Sequence, residues 1–208
     1  FLIFWLMSYH TPEEHPDLSQ EERDYIQQDG PVTSVRIPWI KMIQYRQAWA
    51  YAVGKFMTDP IWWFFLYWLP KFLNSQHGLT LDKIGPPLIV IYLLSDVGSI
   101  AGGWFSSFLL RKGWSVNAGR KTTMLIAALS VTPIYFASQT DDLWTAVAII
   151  GLATAAHQAW SANLYTLVSD MFPSQAVGSV IGFGCMFGAT AGALAAAGAG
   201  FLLEITGS

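Results

Sequence analysis

Lys55 and Asp59 stand four residues apart in a stretch, Ala48 to Leu73, that is otherwise almost entirely apolar and aromatic. In a helix that spacing puts both side chains on one face, where an ammonium and a carboxylate can meet. An ionisable group inside a membrane span is costly and marks function by default, here ion coupling or gating. The competing reading is a structural pair with Lys55 reaching toward the interface. Pro60 removes a backbone donor directly after Asp59, and Asp before Pro is the grammar of a helix start, so a break or kink is expected there. Asp96 is a third candidate for coupling or gating, an acid near the middle of Gly85 to Leu110 whose charged form needs a partner or a wet cavity. Thr154, His157, Gln158, Ser161 and Tyr165 fall within about 100 degrees of one another on a helix, bordered by Trp160. Serine and threonine bond readily to their own helix, but His157 and Gln158 cannot stay unpaired in hydrocarbon, so a water-filled cavity explains the group together. Trp63 and Tyr67 share a face and can stack on or hydrogen-bond a ligand, although an interfacial belt or helix packing also accounts for them.

The elements that hold these residues follow from composition. Of 208 residues, 53% are hydrophobic and 12% charged, too few charges for a domain bathed in water. Spanning the hydrocarbon core takes about 20 apolar residues in helix. Five segments qualify: 48–73, 85–110, 122–138, 143–169 and 175–203. Short turns between them imply antiparallel neighbours. Phe1 to Met7 reads as the tail of a preceding membrane helix, and both chain ends read as cuts in a longer protein. The expected domains are therefore 1–8, the end of that helix; 9–47, an inter-half loop; and 48–208, a bundle of five transmembrane helices.

Seven of the fourteen acids crowd into the early loop: Glu13, Glu14, Asp17, Glu21, Glu22, Asp24 and Asp29. The net charge of -3 describes that loop and gives no reason to expect nucleic acid. Ser19-Gln20-Glu21-Glu22 predicts a capping box opening a short surface helix through about Gln28. Cys185 is the lone cysteine, which leaves no internal disulfide and no cysteine pair to begin a structural zinc site. No metal or cofactor is expected. Gly178, Gly182, Gly184, Gly188, Gly192, Gly198 and Gly200 line the last span, and Ser95, Gly98, Ser99, Gly102 and Gly103 the second, giving faces that another helix can approach closely.

Four further stretches carry a family resemblance. They are Lys55-Phe56-Met57-Thr58-Asp59-Pro60-Ile61-Trp62-Trp63 running on to Trp68-Leu69-Pro70-Lys71, His15-Pro16-Asp17-Leu18-Ser19, Asp96-Val97-Gly98-Ser99 with the Arg111 to Asn117 loop, and Asp170-Met171-Phe172-Pro173. Together they resemble the anion:cation symporter family of the major facilitator superfamily, and within it the bacterial hexuronate transporters. The resemblance implies an all-α integral membrane chain with the major facilitator fold, namely the C-terminal six-helix half with its last helix missing. It further implies a multi-pass protein of the bacterial inner membrane that carries a small organic anion, with a proton as co-substrate and a separate N-terminal half completing the site. His157, Gln158, Trp160, Ser161, Trp63 and Tyr67 are the substrate-binding candidates on this reading, and another sugar acid or a carboxylate is the alternative cargo. A membrane enzyme is disfavoured because no His-Glu-x-x-His or Gly-x-Ser-x-Gly motif occurs. A channel would be expected to repeat a pore-lining motif in identical subunits.

Lysine and arginine set the orientation of such a chain. Arg111, Lys112, Arg120 and Lys121 surround one short loop, and alternation puts Arg23, Arg36, Lys41 and Arg46 on the same side, leaving Lys71 and Lys83 opposite. That loop is expected in the cytoplasm. A cysteine substituted for Ser115 in the complete protein should therefore resist a membrane-impermeant maleimide in intact cells and react once the cells are opened. Rapid labelling of intact cells would reverse the topology.

Overall fold

The structure is a computed structural model that describes residues 2–11, 14–28, 39–80 and 82–206. Glu13, Asp29 and Arg36, part of the charge pattern of the long connection, lie outside the described residues. The chain divides into two compact units, Phe1–Arg36 and Ile37–Ser208.

The first unit holds α1 (Leu2–Ser8) and α2 (Gln20–Gln27). The expected capping box is present: Ser19 Oγ accepts from the Glu22 amide, and the Glu22 carboxylate accepts from the Ser19 amide at 3.1 Å. The bond from the Ser19 amide and a second from the Ser19 hydroxyl, which donates to the same carboxylate at 2.9 Å, hold the Glu22 carboxyl below its usual range.

The second unit contains a single-turn helix α3 (Trp39–Met42) and then α4 (Arg46–His77), α5 (Gly85–Arg111), α6 (Val116–Ser130), a 3-10 segment (Thr132–Ser138), α7 (Leu143–Met171) and α8 (Ser174–Thr206). Local chemistry sets the ends. Gly78 closes α4 with φ 62°, a left-handed conformation that a side chain would strain. Ser115 caps α6 and Asp142 caps α7, the latter accepting from the Thr145 amide at 2.7 Å. Among the described residues, α5 and the Ser174–Leu202 part of α8 are long and apolar enough to cross a membrane by composition alone. With 32 and 29 residues, α4 and α7 exceed the length of a span, but their polar and aromatic content lowers their hydropathy.

Three sequence expectations are corrected. The span at 122–138 is not one helix, because α6 ends at Ser130 and the chain tightens into the 3-10 segment at Thr132-Pro133, where proline cannot continue the hydrogen-bond ladder. No break occurs at Pro60: α4 runs unbroken through both Pro60 and Pro70, and Asp59 serves as an ion-pair partner rather than as a cap. Finally, the most extensive packing joins α5 to α7 and α4 to α8, helices that are not consecutive.

Small residues explain that pairing. A Cβ added at Gly98 would collide with the backbone of Ala155, and one at Gly102 with Ala159, so α5 and α7 meet nearly backbone to backbone and run in the same direction. On α8, Gly184, Gly188 and Gly192 form three notches filled by Tyr51, Asp59 and Trp63 of α4. These glycines belong to tight packing, whereas Gly178, Gly182, Gly198 and Gly200 have open space where a Cβ would stand.

The apolar core is split in two. One cluster joins Ala48, Tyr51 and Ala52 of α4 to Leu164 and Val168 of α7 and to Val180 and Phe183 of α8. The other joins Leu69 and Leu73 of α4 to Ile91, Ala137, Val147 and Ile150. Between them, residues 55–62 of α4 face residues 154–161 of α7, and there the polar side chains gather. Outward, Val97, Ile100, Trp104, Leu125, Leu129 and Leu194 are exposed, an apolar exterior that calls for a lipid solvent.

Replacing Gly98 with Leu should force α5 off the Ala155 backbone and destabilise the protein by about 1–3 kcal/mol. Gly178→Ala should be near neutral. Thermal unfolding of both variants in detergent checks this, and equal midpoints would contradict the close approach.

Candidate functional site

Lys55 and Asp59 occupy successive turns of α4 and form an ion pair, Nζ to Oδ1 2.8 Å. Lys55 is 3% exposed, so its ammonium must be satisfied from within the protein. It also donates to the Tyr165 hydroxyl of α7 at 2.9 Å and lies 4.4 Å from the centre of that ring. The Tyr165 oxygen is in turn 3.5 Å from Cys185 Sγ on α8. Two helices thus meet at the ammonium, and α8 joins through the Tyr165 hydroxyl.

His157, 8% exposed, faces the same part of α4. Its Nε2 lies 3.0 Å from the Thr58 carbonyl oxygen, which can only accept, so Nε2 carries the hydrogen and Nδ1 is the acceptor. Nδ1 is buried with no partner among the described residues. The imidazole stacks on Trp62 at 6.0 Å, and Trp62 meets Tyr92 of α5 edge-on. Gln158 and Ser161 are half-buried on the adjoining surface of α7, while Trp160 reaches across toward Gly54 of α4. The expected face is therefore present but divided: His157 is docked onto α4, and Gln158 and Ser161 remain partly accessible.

Trp63 and Tyr67 stack on one another at 5.9 Å, with the Trp63 ring seated in the Gly192 notch. The cavity beside them holds only about 20 Å³, room for about one water and too small for a sugar ring. Asp96 does not join the Lys55–Asp59 pair. It is exposed on α5, with no hydrogen bond or ion pair among the described residues. A larger cavity of about 480 Å³ lies between Phe64, Trp68 and Phe72 of α4, Ile134 of the 3-10 segment and Ile150 of α7. Among the described residues Lys71, Ser75 and Ser138 are its polar lining residues, and the remaining walls are aliphatic and aromatic, so it is mainly an apolar cavity.

A second polar network was not assigned from sequence. Arg120 of α6 is 7% exposed and donates through Nε to Asp170 at 2.9 Å, and through Nη1 to Ser106 at 2.7 Å and Asn163 at 3.5 Å. Asn163 also donates to the Gly102 carbonyl at 3.1 Å, so the network crosses the close α5–α7 contact and ties in α6. Its sequence signal was only a basic loop and an Asp-x-Phe-Pro stretch some fifty residues apart, and spacing of that kind cannot reveal a pair. Tyr51 was also missed. Its hydroxyl is buried beside the Cys185 thiol, with no other polar partner among the described residues, and it precedes Lys55 by four residues on the same face.

With this geometry in hand, similarity to known proteins is informative. The Major Facilitator Superfamily profile matches residues 1–196. The chain belongs to that superfamily. It is 29% identical over 210 residues to the hexuronate transporter of Escherichia coli K12, covering 98% of this chain and 48% of that protein. It is 26% identical over 214 residues to a probable galactarate/D-glucarate transporter of the same strain, covering 96% and 48%. To the D-galactonate transporter of Escherichia coli O6:H1 it is 28% identical over 189 residues, covering 85% and 44%. The chain spans about half the length of the curated relatives it matches. These relatives are transporters rather than enzymes, and transporters of this superfamily are membrane proteins, in keeping with the apolar exterior.

Arg120→Lys keeps the charge but loses the planar fork in which Nε is aimed at Asp170 and Nη1 at Ser106 and Asn163. The variant should lose about 1–3 kcal/mol of stability, read as a lower unfolding midpoint in detergent. An unchanged midpoint would show that the three contacts do not act jointly.

Proposed function

We propose that the complete protein is a secondary active transporter that carries hexuronates such as galacturonate or glucuronate across the bacterial inner membrane together with a proton. The observation that carries this reading is the polar layer between two apolar clusters, where Lys55, Asp59, His157, Gln158, Ser161 and Tyr165 converge from α4 and α7. Such a layer suits a hydroxylated anion, since buried polar groups are retained where something must satisfy them. Residues 48–208 then form one side of a transport site near the middle of the bilayer. A second helical half supplies the opposite wall, and residues 9–47 join the halves on the cytoplasmic side, as alternating access requires. Gln158, Ser161 and His157 contact sugar hydroxyls on this reading, Trp160 borders them, and Trp63 and Tyr67 supply aromatic surface one to two turns beyond Asp59. Lys55 and Asp59 take part in coupling, while the exposed Asp96 acts in gating against the other half.

The names of the relatives include aldarate and aldonate carriers beside the hexuronate carrier, at nearly equal identity. The anion is therefore decided by experiment. Purified complete protein should bind one of galacturonate, glucuronate, galactarate or galactonate and take it up in proteoliposomes against a gradient. Gln158→Leu and Ser161→Ala should each weaken that affinity by about 1 kcal/mol, roughly fivefold, for one lost hydrogen bond, with the fold retained. Wild-type affinity in Gln158→Leu, Ser161→Ala and His157→Ala alike would remove this face from the site.

A further inference from the structure

We propose that the groove between α4, the 3-10 segment and α7 holds an acyl chain of an anionic phospholipid, whose phosphate rests on Lys71. This site lies apart from the polar layer around Lys55 and does not depend on which anion is carried. The groove measures about 480 Å³, and its polar lining groups gather at one end. Lys71 and Ser75 stand near the C-terminal end of α4, and Ser138 closes the 3-10 segment. Gln76 donates to the Ser138 carbonyl at 3.3 Å, tying the two elements together beside that mouth. The apolar lining lies deeper: Phe64 and Phe65 about two to three turns back along α4, Ile134 four residues back along the 3-10 segment, and Ile150 seven residues into α7.

A lining that is charged at one end and hydrocarbon at the other suits an amphiphile. Its length suits one leaflet. The lining residues of α4 run from Phe64 to Ser75, eleven positions apart, which is about 16 Å along a helix. Half of a hydrocarbon core roughly 30 Å thick is about 15 Å. A chain that enters beside Lys71 therefore reaches about mid-bilayer at Phe64. On the orientation expected from lysine and arginine, the groove opens to the periplasmic leaflet.

Charge selects the class of lipid. Lys71 is exposed, its Nζ lies 5.1 Å from the centre of the Trp68 ring, and it has no ion pair among the described residues. Tryptophan and lysine both favour the headgroup level, where an ammonium meets phosphate. Trp68 stacks on Phe64 at 6.3 Å, so aromatic surface continues from the ammonium into the groove. The Ser75 and Ser138 hydroxyls bond to the carbonyls of Phe72 and Tyr135 at 3.2 and 3.5 Å, and each can rotate to donate to a phosphate oxygen instead. A zwitterionic headgroup brings a cation of its own toward Lys71, whereas an anionic one does not. A sugar acid matches the mouth but has no partners in the apolar depth, and a further apolar helix matches the depth but not the charge.

The test is photo-crosslinking of the purified complete protein in phosphatidylcholine nanodiscs. These carry a small fraction of either phosphatidylglycerol or phosphatidylcholine with a diazirine on one acyl chain, and adducts are mapped by peptide mass spectrometry. In wild type the phosphatidylglycerol probe should label residues 64–75 and 134–150 about fivefold more than the phosphatidylcholine probe, the effect of one lysine beside an anionic headgroup. Lys71→Gln, a change at an exposed position, should make the two probes equal, while Lys83→Gln at the same end of the bundle should leave the preference unchanged. Absence of adducts from both segments of wild type overturns the proposal, as when a further helix of the complete protein fills the groove. Equal labelling by the two probes in wild type overturns the anionic headgroup. A preference retained in Lys71→Gln, or lost equally in Lys83→Gln, overturns the seat at Lys71.

Discussion

Backbone contact between helices is the constraint from which the rest of this arrangement follows. Gly98 and Gly102 bring α5 against Ala155 and Ala159 of α7, and Gly184, Gly188 and Gly192 open α8 to side chains of α4. Dispersion and close packing drive such contacts in lipid, where burying apolar surface gains little over leaving it among acyl chains. Two parallel helix pairs result, α5 with α7 and α4 with α8. The lesser contact between α4 and α7 is apolar toward both ends, and its middle is left to polar groups, which lipid cannot satisfy and which must find one another.

The polar groups fall into two networks of different character. Around Arg120, a planar fork meets Asp170, Ser106 and Asn163, and Asn163 extends to the Gly102 carbonyl. Its donors and acceptors are matched, which suits a brace holding α5, α6 and α7 together. Around Lys55, the ammonium has a carboxylate and a phenol, while nearby the Tyr51 hydroxyl has only the Cys185 thiol beside it and His157 Nδ1 is buried with no partner among the described residues. Buried polar atoms left unmatched are costly, each by about 1–3 kcal/mol. A site that accepts a hydroxylated anion has a use for them and a brace does not, which is why the transport reading is drawn from the second network.

Much of this was legible in the sequence. Four-residue spacing joined Lys55 to Asp59, composition and the long apolar segments pointed to helices in lipid, Ser19 and Glu22 announced their capping box, and the run from Lys55 to Lys71 with the Asp-x-Phe-Pro stretch carried the family. Each of these signals is local, because helix periodicity and capping are decided within a few turns. Tertiary structure alone decided which helices pair, that α4 continues through Pro60, and that α6 gives way to a 3-10 segment. It also decided that Arg120 reaches Asp170 fifty residues away, that His157 turns onto the Thr58 carbonyl while Gln158 and Ser161 stay accessible, and that Asp96 stands apart from the Lys55 pair. A helical face can be read from spacing, but what that face meets depends on which neighbour comes closest, and here glycines on other helices set that distance.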